Sequence, residues 1–421
     1  MRAEHRDQWR ELIRSARRRN PDLRILSISG GAERRLPGLV RAGLIERDPE
    51  LRKYYGSSAE NLRRMLVYVE TKYLGGSRKI EPPEEVLRAG MYHPDRDELL
   101  RDADEFLHWS RARGFDVEKS PRAVVAVHYT HLALQQPLVV DALIREFEKR
   151  GVLVAAVVDA GPEYERILLG LEPDVVIHTC HSRDRVAFRE KLGALHLQCI
   201  FFRKQSIADW RVSLEGLASN ESNFQIVSQE LLGQIEPQVG SGTKIGGGSS
   251  EAFTPIPGRI AHLVDRALAW IRLRTTENRS KKVAFVYWDR EMGKAELMRG
   301  SATGMFLNGP RSLVRVLERM KRAGYDLDPV PADEDELVSW MMERGRQIGI
   351  WAPEVLDRLA KSGEAVLVPV DTYREWFEAK VPEQQRKELV QRWGEPPGRF
   401  LVWKRDGEEF IVIPRIALGN V

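Results

Sequence analysis

From Arg122 onward, short apolar runs alternate with amphipathic ones. Val124 to His128 reads as a strand, Pro137 to Arg150 as a helix and Val152 to Asp159 as a strand, with further strands at Asp174 to His178 and Gln198 to Phe202. These strands are almost continuously apolar, the pattern of strands buried on both faces. Their alternation with helices predicts a parallel sheet covered on both sides. Upstream, residues 4–19 and 59–74 carry helical spacing, and Leu23 to Ser29 reads as a strand ending at Gly30-Gly31. A proline-containing connector from Glu81 to Pro94 leads to a helix over Asp97 to Arg113.

The run GSGTKIGGGSS at 240–250 has the composition of a flexible loop, and a helix at Pro257 to Arg274 follows it. A second α/β unit is expected from Lys282, with a strand at Ala365 to Val370. Phe400 to Ile413 reads as two short strands around Asp406-Gly407, a hairpin signal. The expected fold is therefore α/β, with two or more parallel-sheet units, helices on both faces and a C-terminal β-hairpin. The expected division is a partial N-terminal α/β and helical region at 1–120, an α/β domain at 121–240, a linker or loop at 241–256, and a second α/β domain at 257–421. The chain stops at Ile413-Pro-Arg-Ile-Ala-Leu-Gly-Asn-Val421 without a polar tail, which reads as a shortened chain or one piece of a split protein.

Lys281 to Met320 is the segment with the most chemical content. An apolar strand, Val283 to Trp288, runs into a polar loop with glycines at 293, 300 and 304 and then into a helix. Pro310 suits a first helical turn, with Asn308 or Gly309 as the cap. Leu313, Val316, Leu317 and Met320 fall at the spacing of a buried stripe. Arg311 sits in that first turn, where a cation opposes the helix dipole unless an anion is near. The loop lacks the order of a Walker phosphate loop and of a dinucleotide fingerprint. As a bare pattern it fits a ligand-binding edge or an ordinary surface loop.

Composition narrows the class. The chain has 421 residues, 42% hydrophobic and 30% charged, with a net charge of +4. That excess is too small for a nucleic-acid footprint, and the arginines at 14, 17, 18 and 19 read as a solvated helix face. The two cysteines imply no disulfide framework. Neither a secretory signal nor an apolar run long enough for a bilayer is present, so a cytoplasmic protein is expected.

Two histidine pairs, His128/His131 and His178/His181, each follow an apolar strand and are expected on one sheet edge. Imidazole suits cobalt, nickel and zinc, so these four are the candidate metal ligands. The spacing matches no zinc-finger pattern, and separate loop histidines satisfied by hydrogen bonds remain the alternative.

Several segments, in shared order, resemble the large subunit of cobaltochelatase (CobN-type) and its counterpart, the H-type large subunit of magnesium chelatase. They include GMYHPD at 90–95, VVDALIREFEKRG at 139–151, IEPQVGSG at 235–242, ALAWIRLR at 267–274, YREWFEAKVPEQQRKELVQRWGEPPG at 373–398 and IPRIALGNV at 413–421. The resemblance implies insertion of a divalent metal substrate, cobalt ahead of magnesium or nickel, into a corrinoid or porphyrin. It also implies AAA+ ATPase partners that bind and hydrolyse the ATP, consistent with the missing Walker order. Two departures stand out: Trp288 to Met292 differs from the family's loop, and the family's chains run far past Val421. Whether this chain is itself an enzyme is therefore open, and a non-catalytic tetrapyrrole-binding or scaffold module is the alternative.

Under that resemblance Glu291 is the candidate for removing pyrrole protons. Arg290, Lys294 and Arg311 are candidates for pairing with peripheral carboxylates, with Asn308 and Ser301 adding hydrogen bonds. Glu388 and Trp393, beside Gly394-Glu-Pro-Pro-Gly398, complete the substrate-binding set, Trp393 offering a flat face to a macrocycle. A core-capping role is the alternative for Trp393.

Overall fold

The structure is a computed structural model that describes all residues except 1–2, 29–35, 56–57, 86–88, 134–135, 180–184, 249–250, 287–307, 346–351 and 421; side chains are also left undescribed at 3–7 and 133. The chain divides into two compact units, Met1–Arg272 and Leu273–Val421.

The first unit is built on a seven-stranded sheet. Its strands are β3 (Met91–Tyr92), β4 (Arg122–Val127), β5 (Leu153–Val158), β6 (Val175–His178), β7 (Leu195–Ser206), β8 (Ile235–Thr243) and β9 (Thr254–Pro255), in the order β3-β5-β4-β6-β7-β8-β9. The five strands from β5 to β8 in that order run parallel, and only the edge strands β3 and β9 are antiparallel. Every residue of β5 and β6 is buried; β5 is apolar throughout, and β6 is apolar up to His178, its last residue.

Alternate residues serve two cores. Val125, Val127, Val154, Ile177, Leu197 and Cys199 meet the helices Leu138–Glu148 and Pro257–Thr275. Val124, Ala126, Ala155, Val157 and Val176 meet the helices Ala103–Ala112 and Gly161–Leu171 on the opposite face. The helix expected from Asp97 starts only at Ala103, because the Asp102 side chain caps it by accepting from the Glu105 N–H.

The glycine-rich run begins inside the sheet. A Cβ at Gly240 would overlap Cys199 Sγ, and one at Gly242 would overlap the Phe202 ring, so these glycines let β8 lie close under bulky side chains of β7. Nearer the N-terminus, β1 (Leu26–Ser27) pairs in parallel with β2 (Glu46–Arg47), a much shorter strand than the expected Leu23 to Ser29. Asp48 follows β2 and caps the helix Pro49–Tyr54.

The second unit departs from expectation. Its sheet is antiparallel, with β10 (Val366–Pro369), β11 (Val402–Arg405) and β12 (Glu408–Ile413) in the order β10-β12-β11. The hairpin was expected, and Asp406 and Gly407 both take positive φ at its turn. No parallel sheet is found among the described residues of the second unit. The hairpin itself pairs with β10, and Trp403 and Val412 bury against Leu359 and Ala360 of the helix Pro353–Lys361. Of the strand expected at Val283 to Trp288, residues 283–286 join no ladder and 287–288 lie outside the described residues. The helix Gly309–Arg322 buries Pro310, Val314 and Leu317, while Val316 of the expected stripe is exposed. Among the described residues the architecture is mixed α/β, with a largely parallel seven-stranded sheet, the short parallel β1-β2 pair and a small antiparallel sheet.

Candidate functional site

The order β5-β4-β6 creates a switch point. The chain leaves β4 through the helix Leu138–Glu148 on one face and leaves β5 through the helix Gly161–Leu171 on the other. In open α/β sheets a crevice opens at the carboxyl ends of the strands where the connections diverge in this way. His128 follows β4 there, and Thr179 follows β6. The Thr179 N–H and Oγ1 both donate to the Ala126 carbonyl, at 3.1 and 2.9 Å, tying the residue after β6 to the end of β4.

Two expected histidines sit at this edge in different states. His128 Nδ1 lies 2.8 Å from Thr130 Oγ1 and accepts from the Thr130 N–H at 3.3 Å. A backbone N–H can only donate, so Nδ1 is the acceptor, and in the neutral form of the ring the proton is on Nε2. The His131 ring has no hydrogen-bond partner among the described residues. It lies 5.7 Å, between centroids, from Phe201, which meets Phe253 edge-on at 5.1 Å, and Arg203 stands 4.4 Å over the Phe253 ring. Burial, then the charges of His128 and Arg203, push the His131 imidazole down to about 4. It is therefore a neutral nitrogen donor at pH 7.

A buried ion pair missed from the sequence spans the same edge. The Asp159 N–H donates to the Val127 carbonyl at 2.8 Å, and the Asp159 carboxylate pairs with Arg185. Asp159 follows β5 and Arg185 comes from beyond β6, so the pair bridges past the end of β4, which lies between those strands. Their side chains are only 4% and 9% exposed, and the Arg185 guanidinium also lies 4.6 Å over the Tyr164 ring. The available signal was an acid ending an unbroken apolar strand, where open sheets place ligands.

The remaining candidates are scattered. His178 ends β6 but is fully buried on the opposite face from His131, with its Nε2 at 2.9 Å from His196 Nδ1. His181, Arg290, Glu291, Lys294 and Ser301 lie outside the described residues. Asn308 caps its helix by accepting from the Arg311 N–H at 2.9 Å. Asn308 and Arg311 both donate to Glu334, an acid whose partnership the residue pattern does not reveal. Glu388 lies exposed on the helix Glu383–Trp393, bonded to Gln384. Trp393 ends that helix 74% exposed, with Arg392 at 5.2 Å over its ring, so it does not cap a core.

One donor cluster elsewhere has metal-ligand composition: His93, Asp95 and Glu148. Arg113 and Arg145 each bond both carboxylates, so its negative charge is already matched and it reads as an ion-pair network. Among the described residues no helix is long and apolar enough to cross a membrane.

A doubly wound sheet with a switch point between β5, β4 and β6 places the first unit among the open, largely parallel α/β folds. The chain belongs to the CobN/Magnesium Chelatase family, which it matches over residues 52–421. It is 25% identical over 389 residues to the H-type subunit of the magnesium chelatase of Chlorobaculum parvum, covering 86% of this chain and 28% of that one. It is 24% identical over 393 residues to the CobN subunit of the aerobic cobaltochelatase of a Sinorhizobium species, covering 88% of this chain and 30% of that one. The chain thus spans about three-tenths of the length of these curated relatives. The solved structure of the catalytic subunit of cobaltochelatase from Mycobacterium tuberculosis shares the fold, with a TM-score of 0.62 at 19% identity over 94% of this chain and 34% of that one.

Proposed function

We propose that this chain is the tetrapyrrole-binding part of a chelatase large subunit. It holds a corrinoid or porphyrin while a divalent metal, cobalt in the first place, is inserted by an assembly with AAA+ ATPase partners. The observation that carries this reading is the family match over residues 52–421. The switch-point geometry supports it. Phe253, half-buried and backed by the buried Phe201, offers apolar ring surface to a flat macrocycle, and Arg203 beside it offers a cation to its carboxylates. His131 offers a neutral nitrogen to the metal substrate.

The test is quenching of tryptophan fluorescence by deuteroporphyrin and by a hydrogenobyrinic-type corrinoid. Saturable binding is expected for one of them, weakened by about tenfold or more in Arg203→Ala, as loss of a charge-assisted hydrogen bond predicts. No saturable binding to either ligand sinks the reading. The second reading is a module that carries the macrocycle without performing the insertion. Metal-insertion assays with the ATPase partners present separate the two.

A further inference from the structure

On the face of the sheet away from His131, β6, β7 and the start of β8 carry buried polar side chains where the neighbouring strands are aliphatic. His178 and His196 lie there with ring centroids 5.2 Å apart. Gln198 stands two residues along the same face of β7 from His196. Gln234 precedes Ile235, the residue that pairs with Leu197, so Gln234 lies beside His196. His178, His196, Gln198 and Gln234 are 1%, 6%, 2% and 1% exposed.

Three atoms of this group are buried without a hydrogen-bond partner among the described residues: His196 Nε2, Gln198 Oε1 and Gln234 Oε1. The Gln234 amide nitrogen donates to Gln229 Oε1 at 3.0 Å, which leaves its oxygen as the orphan acceptor. The Gln198 amide nitrogen leans on the Cys199 carbonyl at 3.5 Å, with the same result. Orphan polar atoms are costly in a core, so three together call for a guest.

Hydrogen-bond arithmetic identifies it. If the His178 Nε2–H donates into His196 Nδ1, the single proton of neutral His196 sits on Nε2, on the sheet face that also carries the two orphan acceptors. One water accepts from His196 Nε2–H and donates one hydrogen to each glutamine oxygen, satisfying all three atoms. The opposite tautomer turns Nε2 into a third acceptor, and the two hydrogens of a water cannot serve three. A metal ion is disfavoured by the buried Arg189 guanidinium, whose charge acts on both rings.

We propose that His196, Gln198 and Gln234 hold one internal water molecule, which fixes both histidines as Nε2–H tautomers. Its consequence reaches the carboxyl edge, because His178 directly precedes Thr179 at the switch point. The same chain of hydrogen bonds makes His178 Nε2 the donor toward His196.

Long-range ¹⁵N–¹H correlation spectra of the full chain test this directly. Both His178 and His196 are expected as Nε2–H tautomers at pH 7, with a cross-relaxation peak from a long-lived water to His196 Hε2. A crystal structure is expected to show one oxygen about 3 Å from all three atoms. The Gln198→Met, Gln234→Met double variant is expected to lose the water peak while amide shifts in β4 and β5 stay in place. An Nδ1–H tautomer at His196, a wild-type spectrum without the water peak, or an anomalous scatterer at the position after a metal or bromide soak each overturn the assignment.

Discussion

The Arg311 guanidinium grips the Glu334 carboxylate with two hydrogen bonds, Nε to Oε2 at 2.7 Å and a terminal nitrogen to Oε1 at 3.0 Å. A cation in a helix's first turn needs an anion nearby, and here the chain supplies its own. A substrate carboxylate would have to displace Glu334 to reach Arg311. Glu334→Gln is therefore expected to tighten binding of deuteroporphyrin while leaving its dimethyl ester unaffected. Stability should change little, because the arginine is largely exposed. Equal affinities in variant and wild type would remove Arg311 from the substrate-binding set.

The buried His178 and His196 and the half-buried His131 make the first unit sensitive to acid. Burial holds His131 down to about 4 and His196 down to about 3, and pushes His178 well below the ordinary value. Unfolded histidines take up protons near pH 6.5, whereas these folded ones do not until far lower. The unfolded state thus binds more protons below pH 6.5, and folding stability falls as pH falls. The loss is about 1.4 kcal/mol per pH unit per histidine, continuing until each folded value is reached. Urea melts at pH 7, 6 and 5 are expected to show a progressive decline before most carboxylates begin to titrate. A flat stability between pH 7 and 5 would contradict the buried, neutral state of these rings.

Asp48 is the polar hub of the N-terminal helices. It is 3% exposed and accepts from the Glu50 and Leu51 N–H groups, the Tyr68 and Tyr73 hydroxyls and Lys72. Burial alone would raise its carboxyl, but the hydrogen bonds from Tyr73, Leu51, Lys72 and Tyr68 outweigh burial and hold it below the usual range. Asp48→Asn puts an amide donor against donors, and a loss of about 2–4 kcal/mol is expected in denaturant melts. Glu60→Gln, at an exposed ion pair on the neighbouring helix, is the control expected to show no resolvable loss.

The parts of this fold readable from sequence are those determined by nearest neighbours. The strands β4, β5 and β6 announce themselves as unbroken apolar runs, and the 406–407 turn needs only two residue types. The second sheet was misjudged because the direction of β10 is set by β12, some forty residues downstream in the chain. Glu334 was passed over because its pairing with Arg311 depends on how two helices meet. The separation of His178 from His131 was in principle legible. His178 shares the parity of Val176, and alternate residues of a strand face opposite sides. Asp159 with Arg185 was not, since ion pairing across a strand order is invisible until that order is known.

The two described histidines of the switch point should behave differently toward a metal. A ligand imidazole must present an unprotonated nitrogen. His131 has both low basicity and no hydrogen-bond partner among the described residues, so a lone pair is available to an incoming ion. His128 has its Nδ1 lone pair engaged by Thr130 and its proton on Nε2. In anaerobic titrations followed by visible absorption, His131→Ala is expected to raise the Co²⁺ half-saturation point by about tenfold or more, roughly 1.4 kcal/mol. His128→Ala is expected to leave it nearly unchanged. The pH profile is the sharper criterion. A histidine of ordinary basicity loses its metal as pH falls through about 6.5, whereas a His131 site should hold cobalt with little loss down to pH 5. Half-loss near pH 6.5, or a wild-type spectrum untouched by Co²⁺, would take His131 out of the metal-binding set.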